Sequence, residues 1–265
     1  MTRLYLVDAF TSKAFSGNPA GVCVMEGPGE DSWMQQAAAE LNVAETAFLF
    51  PQGEHYVLRW FTPLTEVDLC GHATLAASHI LWEQGYLPLY EPARFFTRSG
   101  LLSATFDEDW ITMDFPAEPA VETGIPPGLA EALGATPVFV GKNRFDYLVE
   151  LESAKIVSGL TPNLPELARL PARGIIVTAG SQGTGYDFVS RFFAPAVGIP
   201  EDQVTGSAHC CLAPYWGEKL KLDRMTGYQA SRRGGIVRVA VRGSRVDLSG
   251  QAVTVIIGDL IPPVM

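Results

Sequence analysis

Glu45, His72 and Asp202 are the residues of this 265-residue chain whose types and settings best suit proton chemistry. Glu45 lies in Asn42-Val43-Ala44-Glu45-Thr46-Ala47-Phe48, a carboxylate at the mouth of an apolar strand. Partial desolvation there raises a carboxyl pKa toward the range in which it can take and return a proton. The plainer account is a solvated strand-edge glutamate.

His72 sits in Cys70-Gly71-His72-Ala73-Thr74, a turn that opens a helix, and the same kind of turn recurs as Thr205-Gly206-Ser207-Ala208. In each, glycine lets the backbone approach a ligand closely and the first N–H groups of the helix have no partner. Helix N-termini bind carboxylates and phosphates for that reason. Ordinary caps at Thr205 and Ser207 and an ordinary turn at Gly71 would explain either motif alone. Their recurrence favours a pair of binding turns for a small anionic metabolite. The dipole of the first helix favours the neutral form of His72, which can then accept or donate one hydrogen bond. Asp202, three residues before Thr205, is either a loop acid of the second turn or a charge that complements the helix dipole.

Cys70 invites a thiol reading, because a cysteine at a helix start has a depressed pKa. The matching position in the second motif is Thr205, so a symmetrical two-thiol mechanism is excluded here; a small buried thiol is the plainer account. Cys210 and Cys211 fall deeper in the second helix and read as core. His79 reads as a buried, satisfied histidine, and His55 and His209 have no nameable partner. No metal-ligand spacing, phosphate-binding loop, nucleophile elbow or dinucleotide fingerprint occurs. Gly180-Ser181-Gln182-Gly183-Thr184-Gly185 reads as a hairpin loop. Nothing requests a cofactor.

The elements that must position these residues also repeat. Arg59-Trp60-Phe61-Thr62-Pro63 precedes the first turn and Arg191-Phe192-Phe193-Ala194-Pro195 the second, each an apolar strand ending at a proline. The chain therefore reads as two related halves, 1–117 and 118–265, with a boundary in the proline-rich stretch Pro116 to Pro127 and a site in the cleft between them. Short strands are expected at Leu4–Val7 and Ala20–Met25, paired, then at Thr46–Phe50 and Tyr56–Phe61. Three more follow at Phe95–Thr97, Leu102–Phe106 and Ile111–Phe115. Asp31 is a plausible N-cap for a helix ending near Asn42. From Gly71 to Glu83 the apolar positions wrap most of the circumference, which predicts a buried helix inside a curled sheet. The second half offers strands at Val138–Val140, Tyr147–Leu151, Gly174–Thr178 and Phe188–Phe193, and a helix from Pro162 to Leu170. A second buried helix begins at Gly206, where Pro214 should kink or shorten it. Antiparallel strands fill Met225 to Ile257, and whether the last of them returns to the first half is open.

Hydrophobic residues make up 47% of the chain and charged ones 18%, enough for two cores. The net charge of −10, with 19 basic against 29 acidic residues, argues against nucleic acid. No apolar run approaches the roughly 20 residues that span a bilayer, and Met1 to Tyr5 lacks a secretory pattern. A cytoplasmic protein that does not engage membranes is expected, with its four cysteines as free thiols.

Five ordered blocks carry a resemblance over essentially the whole chain. They are Asp8-Ala9-Phe10-Thr11 with Phe15-Ser16-Gly17-Asn18-Pro19-Ala20-Gly21-Val22; Ala44-Glu45-Thr46-Ala47-Phe48; Arg59 to Pro63; Cys70 to Ala76; and Glu201-Asp202-Gln203-Val204-Thr205-Gly206-Ser207-Ala208-His209. Together they resemble the phenazine-biosynthesis PhzF-like isomerases, a family similar in fold to diaminopimelate epimerase. The resemblance implies an α+β fold of two pseudo-symmetric halves, each a curled antiparallel sheet or barrel around a central helix. It also implies a cofactor-independent isomerase and a homodimer. It places a catalytic glutamate on Glu45 and substrate-contacting positions on Gly71, His72, Asp202, Gly206 and Ser207; His72 and Asp202 are expected to share in the proton transfer, and Ala73 and Thr205 to join the substrate contacts. Diaminopimelate epimerase-like enzymes use cysteines at both helix starts, so Thr205 directs the reading to a glutamate-centred proton transfer. A thiol-assisted racemase or epimerase using Cys70, and a non-catalytic metabolite-binding protein, are the alternatives.

Overall fold

The computed structural model describes residues 2–181, 183 and 185–261. Along the chain run strands β1 (Thr2–Ala9), β2 (Asn18–Val24), β3 (Glu45–Gln52), β4 (His55–Phe61), β5 (Glu66–Val67), β6 (Ala93–Thr97), β7 (Gly100–Asp107) and β8 (Trp110–Pro116). They continue with β9 (Val121–Glu122), β10 (Phe139–Lys142), β11 (Asp146–Glu150), β12 (Gly174–Gly180), β13 (Phe188–Ala194), β14 (Ile199–Asp202), β15 (Arg224–Gln229), β16 (Gly235–Arg242), β17 (Arg245–Gly250) and β18 (Ala252–Leu260). The helices are α1 (Asp31–Leu41), α2 (Gly71–Glu83), α3 (Leu129–Leu133), α4 (Ala154–Gly159), α5 (Leu164–Leu167) and α6 (Gly206–Leu220). Two compact units result: residues 1–114 with 249–265, and residues 115–248.

In the first unit β1 pairs antiparallel with β2 and with β18, the C-terminal strand. Strand β2 is parallel to β3, β3 antiparallel to β4, β4 parallel to β6, and β6 antiparallel to β7. The second unit repeats the scheme: β10 antiparallel to β11, β11 parallel to β12, β12 antiparallel to β13, β13 parallel to β15, β15 antiparallel to β16. The sheets are thus mixed, where the sequence suggested antiparallel pairing throughout. The cause is local. Each parallel pair is separated in sequence by a helical connection, α1 or α2 in one unit and α4 with α5 or α6 in the other, and a crossover of that length returns the next strand in the same direction.

Helix α2 spans the residues expected of it, and Ala73, Leu75, Ala76, Ala77, Ile80 and Leu81 are all fully buried. It packs on β1, β2, β3 and β18. Alanine at three of its core positions lets the strands approach the helix axis, and no polar stripe is left for solvent. Helix α6 packs on β15 and β16 and runs uninterrupted through Pro214 to Leu220, against the expected shortening. Proline removes the N–H that would bond the carbonyl four residues back. That carbonyl, of Cys210, instead accepts the Glu118 N–H at 3.0 Å. The break in the helix ladder is filled by the chain entering this unit.

Other local expectations are corrected. Asp31 is the first residue of α1 and Glu30 its cap, because the Asp31 carboxylate is drawn to Arg59 at 2.7 Å. Asn42 ends that helix in the left-handed conformation. The helix expected over 162–170 is confined to α5, capped by Asn163; beyond it the bonds tighten to three-residue spacing, Arg169 N–H to Glu166 O and Leu170 N–H to Leu167 O. Of the glycine-rich stretch between the antiparallel neighbours β12 and β13, Gln182 and Thr184 lie outside the described residues.

The repeated Arg-aromatic-Phe strands serve one purpose twice. Arg59 on β4 binds Glu66 on β5 through two bonds of 2.7 Å, and Arg191 on β13 binds Glu201 on β14 through bonds of 2.7 and 3.0 Å. Both guanidinium groups lie over a phenylalanine ring two residues on, Phe61 at 5.2 Å and Phe193 at 4.8 Å. These paired clamps fasten the strand that leads into each helix start.

Candidate active site

In the first unit, β3 begins at Glu45 and α2 begins at Gly71, so the carboxylate and the helix start converge without a long loop. Glu45 Oε2 lies 3.2 Å from His72 Nε2. The approach is off the hydrogen-bond line, and Nε2 has no aligned partner among the described residues. The second ring nitrogen, Nδ1, lies 3.6 Å from Cys70 Sγ. Thiol, imidazole and carboxylate therefore cluster, with one donor atom from each within 4.8 Å of the others.

His72 is 4% exposed. Burial pushes its pKa below the ordinary histidine value, and the Glu45 carboxylate only partly opposes this. A neutral imidazole results, with one nitrogen a donor and the other an acceptor. Cys70 occupies the cap position in extended conformation, and the Thr74 hydroxyl donates to its carbonyl at 2.5 Å. The first helical bond, Thr74 N–H to the same carbonyl, leaves the N–H groups of Gly71, His72 and Ala73 ahead of the ladder. Ala73 is fully buried.

In the second unit the helix start is built differently. Thr205 caps α6 without a side-chain cap bond, its hydroxyl donating to Asp202 Oδ2 at 2.7 Å. Gln229, fully buried at the end of β15, accepts the Thr205 N–H at 2.9 Å and donates to the Asp202 carbonyl at 2.8 Å and to the Thr205 hydroxyl at 3.1 Å. His209 takes the place that Thr74 has in α2, with Nδ1 2.8 Å from the Thr205 carbonyl. Burial lowers its pKa to about 4.

Ser207 occupies the position matching His72, and its hydroxyl accepts a bond of 3.0 Å from Arg173. That guanidinium is held by the buried Asp146 through bonds of 2.9 and 2.5 Å, and it lies over the rings of Phe145 and Phe192. The strand registers explain the substitution. Phe48 faces Arg59 and Val177 faces Arg191, so Glu45 of β3 corresponds to Gly174 of β12, the residue after Arg173. A Cβ at Gly174 would come within 2.4 Å of the Phe192 ring. The second unit therefore carries no side chain at the glutamate position and supplies a cation from the neighbouring one.

Sequence reading missed Arg173, Asp146 and Gln229, since each acts across at least one strand connection. The signal that could have found Arg173 is the repeat itself, aligned through Arg59 and Arg191. The other cysteines are core thiols: burial raises Cys23, and Cys210 and Cys211 to about 12 each. His79 is satisfied by Thr254 at 3.2 Å and Glu83 at 3.4 Å, and His55 stacks on Phe96. Among the described residues no helix is long and apolar enough to cross a membrane.

The chain is similar to known proteins over nearly its whole length. The family described as phenazine biosynthesis-like protein matches residues 7–258. An uncharacterized isomerase of Halalkalibacterium halodurans is 53% identical, with 98% of each chain covered. A crystal structure of a PhzF-family phenazine biosynthesis protein from Enterococcus faecalis superposes with a TM-score of 0.95 at 39% identity, over 98% of this chain and 99% of that one. A probable proline racemase from Agrobacterium radiobacter, at 10% identity and a TM-score of 0.65 over 98% of this chain and 93% of its own, shares the fold alone. The chain belongs to the phenazine biosynthesis-like, PhzC-PhzF family and is an isomerase with that family's epimerase-like α+β fold.

Proposed function

We propose that the protein moves a proton within a small carboxylate-containing metabolite, with Glu45 as general acid and base and no cofactor taking part. The observation that carries the reading is the 3.2 Å approach of His72 Nε2 to Glu45 Oε2 at the start of a buried helix. In this scheme Glu45 takes a proton from carbon next to a carboxylate or alkene and returns it at another carbon of the same molecule. His72, kept neutral by burial, relays or steadies that proton. The N–H groups of Gly71, His72 and Ala73 face the developing negative charge, which oriented backbone donors stabilise. In the second unit Asp202, Thr205, Gly206 and Ser207 keep the substrate-positioning roles that the family resemblance gives them.

The test is deuterium incorporation from D2O into a panel of small amino, hydroxy and unsaturated carboxylic acids, followed by NMR with wild type beside Glu45→Gln. Loss of a positioned general base lowers such rates by about 10²–10⁴-fold. Equal exchange by the two proteins would end the glutamate-centred scheme. The 3.6 Å approach of Cys70 Sγ to His72 Nδ1 favours one second reading, a racemase or epimerase in which the thiol and Glu45 act as opposed acid and base. Cys70→Ala abolishes exchange under that reading and leaves it nearly intact under the first.

A further inference from the structure

We propose that Cys70, His72 and Glu45 together form a three-ligand site for a zinc ion, and that zinc bound there silences the enzyme by occupying its base. The silencing rests on the function proposed above; the binding does not.

The donor set selects the metal. One thiol, one imidazole and one carboxylate are the ligands that zinc takes, whereas magnesium and calcium require six or more oxygens. Zinc bonds of about 2.3 Å to sulfur and 2.0–2.2 Å to nitrogen and oxygen place tetrahedral donors about 3.4–3.6 Å apart. Zinc takes one ring nitrogen of His72: beside Nε2 the Glu45 oxygen already stands at 3.2 Å, the Cys70 sulfur lies 3.6 Å from the second nitrogen, Nδ1, and a donor atom from each of the three residues lies within 4.8 Å of the other two. Closing the set on one ion requires the Cys70 or His72 side chain to rotate until the sulfur and the bound nitrogen face the same point.

A second observation is independent of that spacing. Nε2 of His72 is a fully buried nitrogen without an aligned hydrogen-bond partner among the described residues, and such an atom costs free energy until something binds it. A zinc ion satisfies it by coordination and neutralises the thiolate and carboxylate at the same time. Three protein ligands leave a fourth position open, as in sites that exchange their outer ligand. The second unit has Thr205 and Ser207 where the first has Cys70 and His72, so one zinc per chain is expected.

Chelator-treated protein is titrated with zinc chloride against a chromophoric zinc indicator, with magnesium chloride as control, for wild type, Cys70→Ala and Glu45→Gln, each checked for folding by circular dichroism. The expected result is one zinc per wild-type chain, no response to magnesium, and affinity lower by at least about 100-fold in Cys70→Ala, since even outer-shell changes cost 10–100-fold. Cobalt in place of zinc gives a thiolate charge-transfer band in wild type and none in Cys70→Ala. Failure of wild type to retain zinc, or equal retention by all three proteins, overturns the site. In the D2O assay, saturating zinc stops exchange by wild type and chelator restores it; continued exchange by the zinc-loaded protein overturns the silencing. Zinc held through Cys70 in a protein without Glu45-dependent exchange leaves the metal site standing and removes the isomerase mechanism. Glu45-dependent exchange without zinc binding does the reverse.

Discussion

Acid should weaken the second unit through His209, by an amount the structure allows to be worked out. Its Nδ1 is 2.8 Å from the Thr205 carbonyl, which can only accept, so Nδ1 carries the proton of the neutral ring. Nε2 has no hydrogen-bond partner among the described residues and Phe188 lies beside the ring. A second proton would put an unpaired charge in that core, which is why burial lowers the pKa to about 4, against about 6.5 in an unfolded chain. As pH falls below 6.5 the unfolded chain takes up a proton that the folded chain refuses, so stability is lost between pH 6.5 and 4 and changes no further below that window. Linkage gives a loss of about 1.3 kcal/mol between pH 7.5 and 5.5, growing to about 3 kcal/mol by pH 4. The upper range avoids the isoelectric point near 4.9. His209→Asn keeps an amide donor near the Thr205 carbonyl and cannot titrate. Opening free energies of α6 amides, from hydrogen exchange read by mass spectrometry, are compared for the two proteins at both pH values. Other groups, including His72 and His79, titrate in both and cancel in the difference. A wild-type slope no steeper than that of His209→Asn would refute the reasoning.

Three further outcomes follow from named contacts. Gly174→Ala drives a methyl group into the Phe192 ring and the Phe193 carbonyl, and should lower stability by about 1–3 kcal/mol, the usual range for overpacking, in urea denaturation. Arg173→Gln leaves Asp146 buried without its cation and should cost about 3 kcal/mol, with much of the loss recovered in the Arg173→Gln, Asp146→Asn double variant. Equal melting of the single and double variants would count against the pairing. Glu66→Gln removes the negative charge and one of the two acceptor oxygens that Arg59 binds, and should cost about 2–3 kcal/mol because the pair is only partly buried. A thermal melt with unchanged midpoint would show that Asp31 suffices to hold Arg59.

Legibility in the sequence followed the range of the interactions. Helix α2 could be bounded to the residue because glycine opens it and apolar side chains circle it, both properties of adjacent residues. The strand pairs and the start of α6 were readable for the same reason, and the repeat of Arg59 and Arg191 pointed to duplication. Glu45 and His72 were nominated separately, from a strand mouth and a helix start; their 3.2 Å approach is a fact of the fold. What stayed hidden depended on partners far along the chain. Asp31 reads as a cap until Arg59 claims it, Pro214 reads as a break until Glu118 fills the vacated carbonyl, and Arg173 reads as a loop cation until Asp146 and Ser207 fix it. Parallel pairing follows from the helices between strands, whereas the hairpins that surround them signal only antiparallel neighbours.

The return of β18 to β1 imposes an order in time. Strand β1 leaves the ribosome before its partner β18, with the whole of residues 115–248 made in between. At about 5–20 residues per second that interval is on the order of 10 s. Throughout it β1 has β2 on one side and an unpaired edge on the other, an invitation to association with neighbouring nascent chains. The second unit, contiguous in sequence, can complete its sheet first. The unit bearing Glu45 and His72 becomes whole only after the second unit has been made.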